Sequence, residues 1–352
     1  MKIENEFIQF NSMSTEQLFD IYHSLNFIYP AKMEHLHPVI HTVKENWEKA
    51  MRLDFPLFWV STIKQNLDNI ISSGTAWQYL NNGMIAQHLC SNHPIGSRMI
   101  FLGMLNKIID NQHTGFIDSY QIYYQPQNKY SSKVFESHGL KAGKELSGII
   151  SYNYLEFPFL TKDYPGNIQL TEINSGQDAD FKNFVMEQRG ELFMKVQELD
   201  SEDINLKKLN DRFKSHGLKR TRRIFAARIP GSTKIYGVII INESSLGFNF
   251  SFFENSCELI LCKKSNAQLL LQIAHKLLFR ASEIHALSPL KYIPVLTDPG
   301  YSALLEELNG KITRNYNLFI MLKGGYERYY EEVEELTNSI FQRFTNKSNE
   351  KN

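Results

Sequence analysis

The sequence predicts a mixed α/β protein of two domains, each a sheet covered by helices on both sides, and three observations carry that reading. A chain of 352 residues is long for one hydrophobic core. Apolar residues switch between a strand-like period of two and a helical period of 3.6 throughout both halves. The order strands, long helix, strand, helix, strand, read over residues 75–157, recurs in the second half with little sequence identity, as a structural duplication would. The expected boundaries are an N-terminal domain over 1–165, a connector over 166–218 and a C-terminal domain over 219–345.

"MSTEQLFDIYHSL" places a Ser or Thr cap before helix-period apolar residues and opens the first helix. "MEHLHPVIHTVKENWEKAM" continues as a second helix with Pro38 near its first turn. "FPLFWVSTI" is short, aromatic and β-branched, hence a strand. "GTAWQYL" and "MIAQHLC" are two strands joined at Asn81-Asn82-Gly83, a tight turn that tolerates positive φ. "SNHPIGS" turns the chain into the apolar-striped helix "RMIFLGMLNKIID". The strand "FIDSYQIYYQ", a polar break at Pro126 and Asn128, the short helix closed by "VFESHGL" and the strand "ELSGIISYNYLEFPF" complete the first half.

Residues 160–218 are more polar and swing from acidic to basic, which reads as a helical connector. "IFAARI", "KIYGVIIINES", "GFNFSFF" and "CELILCK" are strands with turns between them. A helix over Ala267 to His285, the strand "KYIPVLTD", the helix "YSALLEELNG", the strand "YNLFIML" and the acidic helix "YERYYEEVEELTNSIFQRF" follow. Tyr326, Tyr329 and Tyr330 belong to that last amphipathic helix, and Trp47, Trp59 and Trp77 to core or groove walls.

Lys plus Arg equals Asp plus Glu at 38 each, so net charge points to neither nucleic acid nor a membrane surface. Cys90, Cys257 and Cys262 form no Cys-x-x-Cys pair and read as buried free thiols. Glu4 and Glu6 interrupt the N-terminus, so no signal peptide is expected, and no apolar run is long enough for a membrane span. A cytoplasmic protein is the expectation. His88 and His93 lack a third ligand nearby, so no metal site is expected.

The junction "QHLCSNHPIGSRM" runs a strand through a glycine turn into a helix N-terminus, whose orphan N–H groups and positive end favour an anion. Residues 75–157 resemble the core of a GCN5-related N-acetyltransferase, a family that binds acetyl-CoA and moves the acetyl group to an amine. The resemblance rests on Asn92 to Arg98 as the pyrophosphate loop, Asn128 in the later polar turn and "VFESHGL" as the helix close. It implies a tandem pair of acyl-CoA N-acyltransferase-like domains with acetyl-CoA or another acyl-CoA as cofactor. Leu89 and Cys90 would lie beside pantetheine, with His93, Gly96, Ser97, Arg98 and Asn128 around the rest of the coenzyme. His93 stands where Gln or Arg begins the family loop, and Arg98 where a small residue is expected. Phe135 occupies the place of the tyrosine that protonates the leaving thiolate in many members. Asp118, Tyr120, Tyr152 and Tyr154, on strands expected to flank the opening, are the candidates for base and acid.

The second half resembles the same fold, but "KSNAQ" offers no glycine before its long helix, so it is the lesser candidate for coenzyme A. "KRTRR" followed by Asn242-Glu243-Ser244-Ser245-Leu246-Gly247 also resembles the cyclic di-GMP motif of PilZ receptors. That likeness would place Arg222, Arg223, Asn242 and Ser244 on a nucleotide. The expected function is transfer of an acyl group from acyl-CoA to an amine of a small molecule or protein. The alternatives are a non-catalytic binding or regulatory protein of the same fold, and a cyclic di-GMP receptor through the second domain.

Overall fold

The computed structural model describes residues 8–63, 69–111, 114–115, 117–164 and 166–349, so Glu4 and Glu6 lie outside the described residues. Residues 1–123, 127–149 and 319–352 form one unit, and residues 124–126 and 150–318 a second. The elements run β1 (Ile8–Phe10), α1 (Thr15–Ser24), α2 (Pro30–Leu36), α3 (Ile40–Ala50), β2 (Phe58–Ile63), β3 (Ser72–Gln78), β4 (Gly83–Ser91), α4 (Pro94–Asp110) and β5 (Ser119–Tyr124). Next comes α5 (Lys129–Ser131), which continues as a π-helical turn, Ser132–His138, and a 3₁₀ turn, Gly139–Ala142. Then follow β6 (Ser147–Phe157), β7 (Gln169–Glu172), α6 (Ala179–Arg189), α7 (Glu191–Val196), α8 (Lys207–Lys214), β8 (Arg220–Arg228), β9 (Ile235–Ser244) and β10 (Cys257–Leu261). The chain closes with α9 (Ala267–His285), β11 (Ile293–Thr297), α10 (Ser302–Glu307), β12 (Lys311–Leu322) and α11 (Tyr326–Asn349).

In the first unit the strand order is β1-β2-β3-β4-β5, with the end of β12 beyond β5. The first four strands are antiparallel, and β4 and β5 are parallel. Local chemistry sets much of this. Ser14 and Gln17 form a reciprocal capping box that starts α1, each backbone N–H reaching the other's side chain at 2.9 and 3.2 Å. The single helix expected over 33–51 is two helices, because Pro38 lies in a short 3₁₀ turn, His37–Val39, between α2 and α3. One sheet face packs Trp47 with Phe19, Tyr22 and Phe58. The other receives α4, and the approach is close: a Cβ on Gly74 would stand 2.7 Å from Ile100 and 2.8 Å from Met104. The C-terminal α11 joins this second face, with Tyr329 against Phe101 and Phe319.

The second unit orders its strands β12-β6-β11-β10-β9-β8-β7, with β10 and β11 the parallel pair. Its core lies between the sheet and α9, where Leu270, Ile273, Ala274, Leu277, Leu278 and Ala281 meet Ile239, Ile241, Leu259, Leu261 and Val295. Each of the buried Leu, Ile and Val side chains among them contributes about 1.5–3 kcal/mol.

Residues 166–218 lie within the second unit, where Asp178 caps α6 through Phe181 N–H at 2.9 Å, and Phe181, Val185, Phe193, Leu209 and Phe213 are buried. The tail α11 belongs to the first unit. One strand expectation is corrected. "GFNFSFF" is a loop: Gly247 and Phe252 take positive φ, and the Glu254 carboxylate accepts from Gly247 N–H at 2.7 Å and Asn249 N–H at 3.3 Å. That carboxylate replaces the strand ladder for those donors, while Phe248, Phe250, Phe252 and Phe253 supply buried apolar surface.

Candidate active site

In the first unit β4 and β5 pair at Gly83↔Ser119, Met84↔Tyr120 and Ile85↔Gln121, and the parallel register stops there. Residues Ala86 to Ser91 run on toward the start of α4 without that neighbour, so the two strands open into a fork. A bulge sits at the opening. The register with β3 passes from Ser73↔Cys90 to Thr75↔Gln87, and His88 takes φ 54°, a left-handed conformation uncommon for a residue other than glycine. The His88 ring stacks on Trp47 at 5.5 Å with Tyr22 and Phe27 at its edges. Burial, reinforced by Lys32, holds this imidazole well below its usual pKa, so it is neutral. Leu89 reaches toward Gly74 on the α4 face. Cys90 is buried, and that burial pushes its thiol up to about 12, which removes it as a nucleophile.

The turn into α4 is tightly tied. Asn92 accepts from Ile71 N–H and donates to Asn69 O, both at 2.9 Å. His93 caps the helix, its Nδ1 accepting from Ile95 N–H at 3.2 Å, and Pro94 brings no N–H to the first turn. Two places where an anion would find a donor are thereby removed. Gly96 has a packing reason of its own, since a Cβ there would lie 2.5 Å from Ser91 Oγ and 2.7 Å from Ile70. Ser97 N–H reaches His93 O at 3.4 Å. Arg98 Nη1 donates to Pro94 O at 2.9 Å, and its guanidinium stands 5.5 Å over the Tyr130 ring. Asn128 caps α5, its Oδ1 accepting from Tyr130 and Ser131 N–H at 3.1 and 3.2 Å.

Asp118 lies just before β5, where Lys323 Nζ donates to it at 2.6 Å. Tyr120 is buried at the middle pair of the parallel segment, and its hydroxyl has no hydrogen-bond partner among the described residues. Phe135 is packed between Phe101 and Phe319 at 5.7 and 5.2 Å, a purely hydrocarbon setting. Tyr152 and Tyr154 belong to the second unit, where their hydroxyls donate to Glu258 Oε1 at 2.7 Å and to Ser251 O at 2.9 Å. They are not partners of Asp118 and Tyr120 in one unit.

The second unit repeats the fork and fills it. β10 and β11 pair at Cys257↔Val295, Glu258↔Leu296 and Leu259↔Thr297. Beyond that point the Tyr301 hydroxyl donates to Leu261 O at 3.2 Å, taking a carbonyl on the open stretch of β10. On the other face Arg189 meets Asp298 and, at 3.2 Å, Glu258. Burial opposes the charge on Arg189, but Tyr152, Glu258 and Asp298 outweigh it and raise its pKa. The only charge in "CELIL", Glu258, is the sequence signal for this cluster.

The arginines of the nucleotide motif are committed within the protein. Arg220 is fully buried and donates to Asn242 Oδ1 at 2.9 Å, while Arg222 donates to Ile204 O and Gln197 O, each at 2.7 Å. Arg223 makes a bidentate pair with Glu172 at 2.7 and 2.8 Å, and Ser244 Oγ donates to Lys219 O at 3.0 Å. Among the described residues no group of three His, Cys, Asp or Glu could hold a metal ion, and no helix is long and apolar enough to cross a membrane.

No protein-family model and no curated protein matches the chain. Solved structures are similar. A GCN5-related N-acetyltransferase from Sphaerobacter thermophilus aligns at 11% identity over 90% of this chain and 95% of its own, TM-score 0.44. A tandem GNAT protein from the clavulanic acid biosynthesis pathway aligns at 8% identity over 90% and 98%, TM-score 0.39. A Drosophila protein aligns at 10% identity over 91% and 99%, TM-score 0.48. The chain's own topology gives two mixed α/β units, each with a parallel strand pair followed by a helix start.

Proposed function

We propose that the first unit binds an acyl-CoA thioester in the β4–β5 fork and passes its acyl group to an amine of a small molecule or protein in the cytoplasm. The observation that carries this reading is the end of parallel pairing at Ile85↔Gln121, directly before the His88 bulge and the N-terminus of α4. A strand edge released in this way supplies backbone donors and acceptors to an extended amide chain, the same physics as strand addition. Buried polar atoms lacking partners among the described residues, Arg98 Nε and the Tyr130 hydroxyl, fit a ligand rich in acceptor oxygens. When bound, the coenzyme supplies the activated acyl group. The second unit acts as a non-catalytic partner fold, since Tyr301 and Arg189 hold both faces of its fork.

Phe135 favours a second reading, an acyl-CoA-binding protein without transferase activity, because a phenyl ring has no proton for a leaving thiolate. Calorimetry with acetyl-CoA, followed by thiol release from acetyl-CoA in the presence of primary amines, separates the two. Binding with release supports the transferase, and binding without release supports the second reading. No binding of acetyl-CoA or longer acyl-CoAs sinks both.

A further inference from the structure

In the second unit one side chain stands where an extended ligand would be held. Cys262 N–H donates to Tyr236 O beside β9 at 2.9 Å, so the residue before it, Leu261, turns its own N–H and C=O away from β9 and toward the β11 side. Pairing with β11 ends at Leu259↔Thr297, before Leu261 is reached. β11 itself stops at Thr297, and Pro299, which has no N–H for a ladder, opens a 3₁₀ turn over Pro299–Tyr301. The Leu261 carbonyl would be the next acceptor along this edge, and the Tyr301 hydroxyl donates to it at 3.2 Å. The Tyr301 ring lies half-buried against the core between the sheet and α9.

The two sides of this fork are held unequally. On the α6 side Lys263 N–H donates to Gln188 Oε1 at 3.1 Å and Lys263 Nζ to Gln188 O at 3.3 Å, while Arg189 pairs with Glu258 at 3.2 Å and with Asp298. Breaking a buried charge pair of this kind is costly, so that side is framework. On the other side one neutral hydrogen bond closes the edge, which is a far weaker tie. Pro299 and Gly300 are exposed, and a Cβ on Gly300 would meet nothing within 4 Å. Asp298 and Ser302, held by Arg189 and Asn153, anchor the turn at both ends. Tyr301 is therefore the inward-reaching residue of an anchored surface turn, and its side chain can leave Leu261 without breaking a backbone ladder.

We propose, resting on the acyl-CoA reading above, that Tyr301 is an internal plug, occupying the β10 edge with which the amide-bearing arm of an acyl-CoA would pair. The second unit is then a binding fold closed by its own side chain.

Calorimetry with acetyl-CoA on the full-length wild type, Tyr301→Phe and Tyr301→Ala tests the plug, with the melting temperature of each ligand-free chain as the check on folding. One molecule per chain is expected for wild type and for Tyr301→Phe, whose ring still fills the edge. Two are expected for Tyr301→Ala. Adding Gly96→Val to Tyr301→Ala should weaken one of the two and spare the other. Should Tyr301→Ala melt too low to assay, Tyr301→Ser, whose hydroxyl is too short to reach Leu261 O, carries the same test. One molecule per folded Tyr301→Ala chain, bound as tightly as in wild type, overturns the plug and leaves the proposed function standing. No binding to wild type with one molecule on Tyr301→Ala supports the plug and overturns the assignment of the ligand to the first unit. Silence from both sinks the two readings together.

Discussion

The Tyr152 hydroxyl donates to Glu258 Oε1 at 2.7 Å, and Arg189 reaches the same carboxylate at 3.2 Å inside the second unit. Burial pushes the Glu258 carboxyl upward against the pull of Arg189 and Tyr152. Removing the cation leaves two carboxylates facing each other with little water. Arg189→Ala is therefore expected to destabilise the protein by about 3–5 kcal/mol, measured by urea unfolding. A change under about 1 kcal/mol, the range of exposed pairs, would show that the cluster is solvated.

Glu254 gives a pH dependence with a definite sign. Its burial raises the carboxyl to about 7 despite backbone donors at Gly247 and Asn249. The folded state holds its proton more tightly than the unfolded chain, so the group's stabilisation is complete below about pH 4.5 and lost as pH rises through about 7. The decline is roughly 3 kcal/mol, at about 1.4 kcal/mol per pKa unit. Glu254→Gln should flatten this part of the stability–pH curve, and an unchanged slope would reject the assignment.

Gly96 is required by approach, not by φ. Gly96→Val places carbon against Ser91 Oγ and Ile70, 2.5 and 2.7 Å from the new Cβ. Overpacking of this kind costs about 1–3 kcal/mol and would push α4 from the fork. Lower thermal stability together with weaker acetyl-CoA binding is expected. Full affinity in the Gly96→Val variant would separate this turn from the ligand.

Neighbouring arginines should behave differently. Arg222→Ala strips donors from the carbonyls of Ile204 and Gln197 in the interior and is expected to cost about 2–4 kcal/mol. Arg223→Ala removes a half-exposed pair with Glu172 and should cost less than about 1 kcal/mol. Chemical denaturation of both variants checks the contrast, and equal losses would contradict it.

Calorimetry should find one acetyl-CoA per chain, bound by the first unit, because in the second the Tyr301 ring packs against the core beside β10 and its hydroxyl takes the Leu261 carbonyl. Tyr301→Phe frees that carbonyl without emptying the space, so the stoichiometry should stay at one. Two molecules per wild-type chain would refute the assignment of roles.

Signals carried by near neighbours are legible in the sequence. Ser14 with Gln17, Asn128 before α5 and Asn266 before α9 each cap a helix through a bond spanning three residues or fewer. The Gly96 turn and the change from strand to helix after Ser91 are visible for the same reason. The helical character of 166–218 is legible, but that these helices bury apolar faces within the second unit is not. The phenylalanines of "GFNFSFF" read as a strand because nothing in their spacing reveals that Glu254 captures the loop's donors. Near the fork, Gly96 and Arg98 are visible in the sequence, but Tyr130, whose ring meets Arg98, resembles an ordinary helix residue.

Local sequence sets the period of each element, most of the helix starts and the repeated element order, because these rest on side-chain alternation and backbone capping within a few residues. Long-range packing chose that β6 pairs with β11, that α11 returns to the first unit and that one fork stays open while the other is filled. Strand partners and buried polar groups are selected by which surfaces exclude water together. That selection joins residues far apart in the chain, and no local pattern records it.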